Sequence, residues 1–293
     1  MIIAKLMGGL GNQMFQYAFG KKLAVLNNTP LKLDTSFLLD RTPHKEFFVF
    51  RDYDLDIFNL QVEIANKREV ALLTKRLPIK IPDKILNKFI GIKNSYIIEP
   101  HFHFSEKCNS APDNSYLEGY WQSEKYFSSI SEQLKNVDFT FKNPLSDKAN
   151  LLAQQILNCN AVCVNIRRAD FVITSFHGTC SPEYYKKGED IICSTISNPQ
   201  YFVFSDEIDW CRENIKFDGP VTYVGHEYAG IKFQDYLRLM ALCKHFIIPN
   251  SSFAWWAVWL NDIADKIVIA PKKWFNDENW NPKDLIPNTW IQI

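Results

Sequence analysis

Three short polar clusters follow apolar runs in the second half of the chain: Asn165, Arg167, Arg168 and Asp170; Ser205 and Asp206; Asn250, Ser251 and Ser252. These residue types suit an anion. A guanidinium fork matches phosphate or carboxylate bidentately. Two serines opening a helix offer hydroxyls, main-chain amides and the positive end of a dipole. Each cluster also has a plainer reading. The arginines can pair with surface acids, and either serine alone can serve as an N-cap. Asp235 opens another helix. Spacing there favours an acid stabilised by the helix dipole over a carboxylate accepting from a guanine edge.

The first half carries less chemistry. Met7-Gly8-Gly9-Leu10-Gly11-Asn12-Gln13 is a glycine-rich turn ahead of a helical pattern, with Asn12 as the expected N-cap. Its spacing is neither G-x-G-x-x-G nor a P-loop, so it reads equally as a tight turn or as amides open to an anion or a sugar. Asp52, Asp54 and Asp56 share one face if residues 47–60 form a strand, and such carboxylates can hold Mg²⁺ or Mn²⁺ against a diphosphate. The solvated face of an edge strand is the commoner outcome. His101 and His103 would form a metal half-site on one strand face, but no further ligands stand at motif spacing, and no metal is assigned.

These residues need strands and helices to position them. Apolar runs predict strands at 2–6, 31–34, 116–120, 161–167, 201–204, 221–224, 246–248 and 266–270. Helical spacing predicts helices at 14–26, 123–136, 147–158, 182–196, 207–214, 233–243 and 253–261, and a further helical stretch followed by a Lys/Pro/Ile-rich segment over 62–95. Ser181-Pro182 is a good helix start. Strands alternating with helices mean a doubly wound parallel sheet. In such a sheet the carboxyl ends of the strands are where ligands bind, and all three polar clusters fall there. Length alone suggests roughly two domains of ~150 residues. Asn143-Pro144 and Ser146-Asp147 mark the linker, giving residues 1–145 and 146–293.

Lys plus Arg and Asp plus Glu are both 33, so net charge argues for neither nucleic acid nor an anionic membrane surface. The 22 Phe, 12 Tyr and 8 Trp fit large cores, and also sugar-stacking surfaces. Seven cysteines with no C-x-x-C read as reduced thiols of a cytoplasmic protein. Lys5 and the Gly8-Gly9 pair interrupt the first apolar run, so no signal peptide is expected. No uncharged apolar run reaches a membrane-spanning length of ~18 residues. Peripheral membrane association stays open.

Taken together, the chain closely resembles the bacterial α-1,2-fucosyltransferases. The matching pieces are Gly8-Gly9-Leu10-Gly11-Asn12-Gln13-Met14-Phe15-Gln16-Tyr17, Asn165-Ile-Arg-Arg-Ala-Asp170, Phe202-Val-Phe-Ser-Asp206, 235–260 and Val268-Ile-Ala-Pro-Lys-Lys-Trp274-Phe275. They span almost the whole chain in family order. The resemblance implies a GT-B fold with two facing Rossmann-like domains and parallel sheets. It implies inverting, metal-independent transfer of L-fucose from GDP-fucose to the 2-hydroxyl of a terminal galactose, in cell-surface glycan synthesis. No cofactor is implied beyond the donor. Partners would be a nucleotide sugar and a galactose-terminated oligosaccharide. Arg167 would hold the diphosphate, with Asn165, Ser205, Asp206 and Asn250 beside it. Ser251, Ser252 and Phe253 would cradle it, and Asp235 would read guanine. Gly9, Gly11, Asn12 and Gln13 would line the acceptor side. The sequence does not single out the base for the acceptor hydroxyl; Asp170 and Glu118 are candidates, and a largely dissociative transition state needs little base. The chain departs from the family at Asn165, usually His, and Ala169, usually Gly; Asn cannot titrate near neutral pH. Alternatives are a transferase using another nucleotide sugar, or a galactoside-binding module without catalysis. A dinucleotide oxidoreductase is disfavoured because G-x-G-x-x-G is absent.

Overall fold

The computed structural model describes residues 1–42, 49–74, 96–173, 176–277 and 279–293. The chain divides into two compact units. One is Met1–Thr140 with Lys283–Leu285; the other is Phe141–Pro282 with Ile286–Ile293. The short return of Lys283–Leu285 into the first unit has no sequence signal. The Lys125 ammonium and the Phe104 amide, both bonded to the Asp284 carboxylate, hold it there.

The first unit carries a five-stranded sheet: β1 (Ile2–Lys5), β2 (Leu31–Asp34), β3 (Glu63–Ile64), β4 (Tyr96–Ile98) and β5 (Ser115–Glu118). Their order is β3-β2-β1-β5-β4, and every pairing is parallel. From β1 the chain moves outward to β2 and β3, then returns on the other side. The winding therefore switches direction between β1 and β5. Helix α1 (Leu10–Leu26) follows β1 and buries Met14, Phe15, Ala18, Phe19 and Leu23, residues at helical spacing. Its N-cap is Gly9 rather than Asn12, which lies within the first turn. Gly8 needs to be glycine: its φ is +76°, and a Cβ would stand 2.3 Å from Asn12 Nδ2.

The second unit carries six strands: β6 (Asn160–Ile166), β7 (Pro199–Ser205), β8 (Val221–Val224), β9 (His245–Ile247), β10 (Val268–Ala270) and β11 (Ile291–Gln292). The order is β11-β10-β9-β6-β7-β8, again all parallel. Helices α2 (Asp147–Leu157), α3 (Ala169–Ile173), α4 (Pro182–Cys193), α5 (Ile208–Asn214), α6 (Gln234–Ala241) and α7 (Ser252–Leu260) alternate with the strands. The β6 strand is buried on both faces, which explains its uninterrupted apolar run. Val162, Val164, Tyr201, Val203, Ile247 and Ile269 pack against Tyr185 and Ile192 of α4 as one core. Here the winding switches between β6 and β9.

Several expectations are corrected. No strand forms over the described residues 49–60, which hold a 3₁₀ turn at Leu55–Ile57 and a single β-bridge residue at Phe58. The main-chain groups a strand would use are taken instead by Gln13, whose amide donates to the Asp52 carbonyl and accepts from Asp54 N–H. The Asp52 carboxylate pairs with Arg41. Asp52, Asp54 and Asp56 therefore do not form a strand face. His101 and His103 stack ring on ring in a bend, not on a strand. The helix expected over 123–136 is broken into short turns. Tyr126 and Phe127 are both fully buried in these turns. Of the 62–95 stretch, a helix at Lys67–Leu73 forms with an Asn66 capping box, and residues 75–95 lie outside the described residues.

Candidate active site

In the second unit, Ile166 pairs with Ser205 and Val164 with Ile247, so the ends of β6, β7 and β9 come out at one edge. The residues after them meet there. Arg167 donates through Nη2 to Asp170, and its Nη1 makes an ionic contact of 2.8 Å with Asp206 Oδ2. One guanidinium thus lies between two carboxylates, beside the ring of Phe171. Arg168 is committed differently. Its main-chain N–H donates to Asp206, its Nε donates to Glu207, and its guanidinium lies 3.6 Å over the Trp210 ring. Arg168 anchors the β6 and β7 loops; its side chain is 19 % exposed, against 27 % for Arg167.

The neighbouring residues are placed as follows. Ser205 is buried, and its hydroxyl accepts from Glu207 N–H. Asn165 is buried too; its amide donates to the Phe204 carbonyl, with Met240 Sδ at 3.9 Å. Asn250 acts as a peg: its amide donates to the carbonyls of His177 and Trp274, while its Oδ1 finds no hydrogen-bond donor. Ser251 occupies the N-cap position of α7, yet its hydroxyl makes no capping bond. Ser252 and Phe253 form the first turn behind it. Helices α6 and α7 both follow parallel strands and pack together, so their N-termini stand side by side at this edge. Asp235 lies in the first turn of α6, as its spacing suggested. It is 3 % exposed; Oδ2 accepts from Ser146 N–H, and Oδ1 has no hydrogen-bond donor. These contacts are separate from the Arg167 cluster.

His177 had no sequence signal. Its ring stacks on Phe171 at 4.2 Å. Burial pushes its pKa down, Asp170 pulls it up and Arg167 pushes it down. A cavity of about 240 Å³ opens beside it, lined also by Cys180, Tyr184, Asn250, Lys272 and Asn276. It lies among the loops that follow β9 and β10.

In the first unit, Asn12 and Gln122 meet at the switch between β1 and β5, the Gln122 amide donating to Asn12 Oδ1 at 2.7 Å. Gly9 and Gly11 open α1 on the same edge. Gln13 is fully buried, and its amide is spent on main-chain groups of residues 8, 52 and 54. It is a structural peg rather than a lining residue. Glu99, which follows β4, was also missed. Among the described residues no group of three or more His, Cys, Asp or Glu side chains converges as a metal site.

Two parallel α/β units in one chain, with charge gathered at the carboxyl edge of the second, give the GT-B architecture. The chain belongs to Glycosyl transferase family 11, whose profile it matches over residues 1–293. It is 32 % identical to the alpha-1,2-colitosyltransferase of Escherichia coli, covering 100 % of this chain and 99 % of that one. It is 31 % identical to the O-antigen biosynthesis glycosyltransferase WbnK of Escherichia coli, over 98 % and 99 %. A mutant of Arabidopsis thaliana FUT1 solved with GDP shares the fold at a TM-score of 0.50 and 10 % identity, covering 98 % of this chain and 74 % of that one. Among the described residues no helix is long and apolar enough to cross a membrane.

Proposed function

We propose that the protein transfers L-fucose from GDP-fucose, with inversion and without a metal, to the 2-hydroxyl of a terminal galactose on a cell-surface glycan precursor in the cytoplasm. The observation that supports this most is Arg167 after β6 at the switch point of the second sheet, with the uncapped Ser251 hydroxyl and the N-terminus of α7 following the neighbouring strand β9. As the donor bond breaks, charge grows on the leaving diphosphate. A fixed guanidinium and helix-end amides aimed at it stabilise that charge without a metal. In this reading Arg167 takes the diphosphate, Ser251, Ser252 and Phe253 cradle it, Asp235 accepts from guanine, and Asn12 faces the acceptor.

A second reading, with colitose as the sugar, draws on the 32 % identical relative. Colitose lacks the 3-hydroxyl of fucose. A pocket that hydrogen-bonds that hydroxyl rejects the sugar without it by a large factor, on the order of 10⁴. Turnover of GDP-fucose and GDP-colitose against a panel of β-galactosides, with and without EDTA, tests both. Transfer from GDP-fucose that survives EDTA is expected. Turnover of GDP-colitose alone would replace the donor, and activity restored only by Mn²⁺ would overturn the metal-free chemistry. Release of no GDP with any galactoside would leave a binding module.

A further inference from the structure

The cavity of about 240 Å³ lies wholly within the second unit, and its walls are tied together. Residues 177–180, the loop after β9 and the loop after β10 form it. Asn250 joins all three. Its amide donates to the carbonyls of His177 and Trp274 at 2.9 Å and, at 3.4 Å, to that of Gly178. The Asn276 N–H adds a bond to the Phe176 carbonyl at 2.9 Å. Gly178 turns its loop at φ +68°, where a Cβ would stand 2.8 Å from the Asn276 amide. Walls fixed at this many main-chain points are shaped before a ligand arrives, which lowers the cost of binding it.

The polar atoms on these walls select the ligand. With its N–H groups spent on carbonyls, Asn250 has only Oδ1 left to offer. The residue is 4 % exposed, and Oδ1 meets no donor among the described residues. An amide oxygen accepts and has no proton to give a phosphate, so it suits an O–H group. The expected place of Asn250 beside the diphosphate is thereby corrected. The Nδ1 of His177 is also buried and finds no partner among the described residues. Burial is the main influence on that ring and favours its neutral form, which pairs with a hydroxyl as donor or acceptor. Burial pushes the Cys180 thiol up to about 12, so it adds no charge. The Tyr184 hydroxyl is committed to the Ile248 and Ile269 carbonyls. Lys272 and Lys273, both exposed, supply donors. Pockets for drug-sized ligands run to about 300–1,000 Å³, so this one suits a single ring rather than a nucleoside. It also adjoins the anion cluster. The His177 ring lies on Phe171, whose centroid is 5.4 Å from the Arg167 guanidinium, and Asn250 leads directly into Ser251, the N-cap of α7.

We propose that this cavity seats the hexose ring of the nucleotide sugar, with Asn250 Oδ1 and His177 Nδ1 bonded to its hydroxyls. The assignment rests on the nucleotide-sugar reading above and adds to it the residues that read the sugar. Its test measures the binding of GDP, GDP-fucose and GDP-colitose by calorimetry in wild type, His177→Phe and Thr179→Trp. His177→Phe keeps an aromatic ring on Phe171 and removes both ring nitrogens. Thr179→Trp enlarges an exposed residue of the lining. Both leave in place the carbonyls that Asn250 holds. Each variant should bind GDP within threefold of wild type and bind the preferred sugar nucleotide at least about tenfold more weakly, the worth of a lost hydrogen bond. Sugar-nucleotide binding within threefold of wild type in either variant would overturn the assignment. So would GDP affinity falling in step with that of the sugar nucleotide, which would give the cavity to the diphosphate or to the fold. A wild type that binds neither GDP-fucose nor GDP-colitose would instead overturn the substrate reading.

Discussion

Arg167 and Arg168 are adjacent in sequence but play different parts. Arg168 is clamped by Glu207, Trp210 and its own main-chain bond to Asp206, so its charge is spent inside the fold. Arg167 bridges Asp170 and Asp206 and keeps a quarter of its surface open. Removing it leaves the Asp170 and Asp206 carboxylates unbalanced and, in the proposed reading, takes away the diphosphate's partner. Arg167→Ala should therefore lower kcat/KM by at least about 100-fold, ~3 kcal/mol of transition-state stabilisation. Arg167→Lys should fall between, since it keeps the charge but loses the fork. Turnover of Arg167→Ala close to wild type would remove this residue from the site. The Asn165 side chain packs between Phe204 and Met240. It is a buried amide that helps hold the β6 end in place.

The glycine loop and α1 act as one element. Gly8 turns the chain at φ +76°, Gly9 opens the helix, and Gln13 and Gln16 reach back to tie it to residues 52–54, Met7 and Gly119. The loop thereby presents Asn12 to Gln122. Gly8→Ala forces a left-handed residue and drives a methyl group into the Asn12 amide. It should cost about 1–2 kcal/mol of stability in thermal unfolding. It should also raise KM for the acceptor while leaving GDP affinity unchanged. An unaltered acceptor KM would separate Asn12 from acceptor binding. The motif order was legible here, but the helix start was not: Asn12 has the right residue type for an N-cap, yet Gly9 takes that place because the helix begins earlier.

At the scale of the whole molecule, stability carries the mark of Glu99. Its pKa rises from 4.5 in the unfolded chain to about 7 in the fold, with burial as the main cause. The raised value means that its contribution is intact below about pH 4.5 and is lost as pH climbs through 7. Glu99→Gln has no such loss. Between pH 4.5 and pH 8 the variant should therefore gain about 3 kcal/mol on wild type in urea unfolding, offset by a constant cost for a lost amide bond. A difference that stays flat with pH would show that the fold does not raise the Glu99 pKa.

The sequence by itself determined the alternation of strands and helices, the parallel sheets and the polar clusters behind β6, β7 and β9. Those features are local: apolar period, caps and chain order are written along the chain. It did not reveal β3, β4 and β11 or the return of Lys283–Leu285. These are short edge elements with little apolar pattern, formed because a neighbour offers unpaired main-chain groups. Nor could it divide labour between Arg167 and Arg168, or single out Glu99 between Ile98 and Pro100. A side chain's charge, access and proton affinity depend on what the fold brings against it from distant positions. For Glu99 those positions are Tyr120 and Trp121, and only the folded sheet places them there.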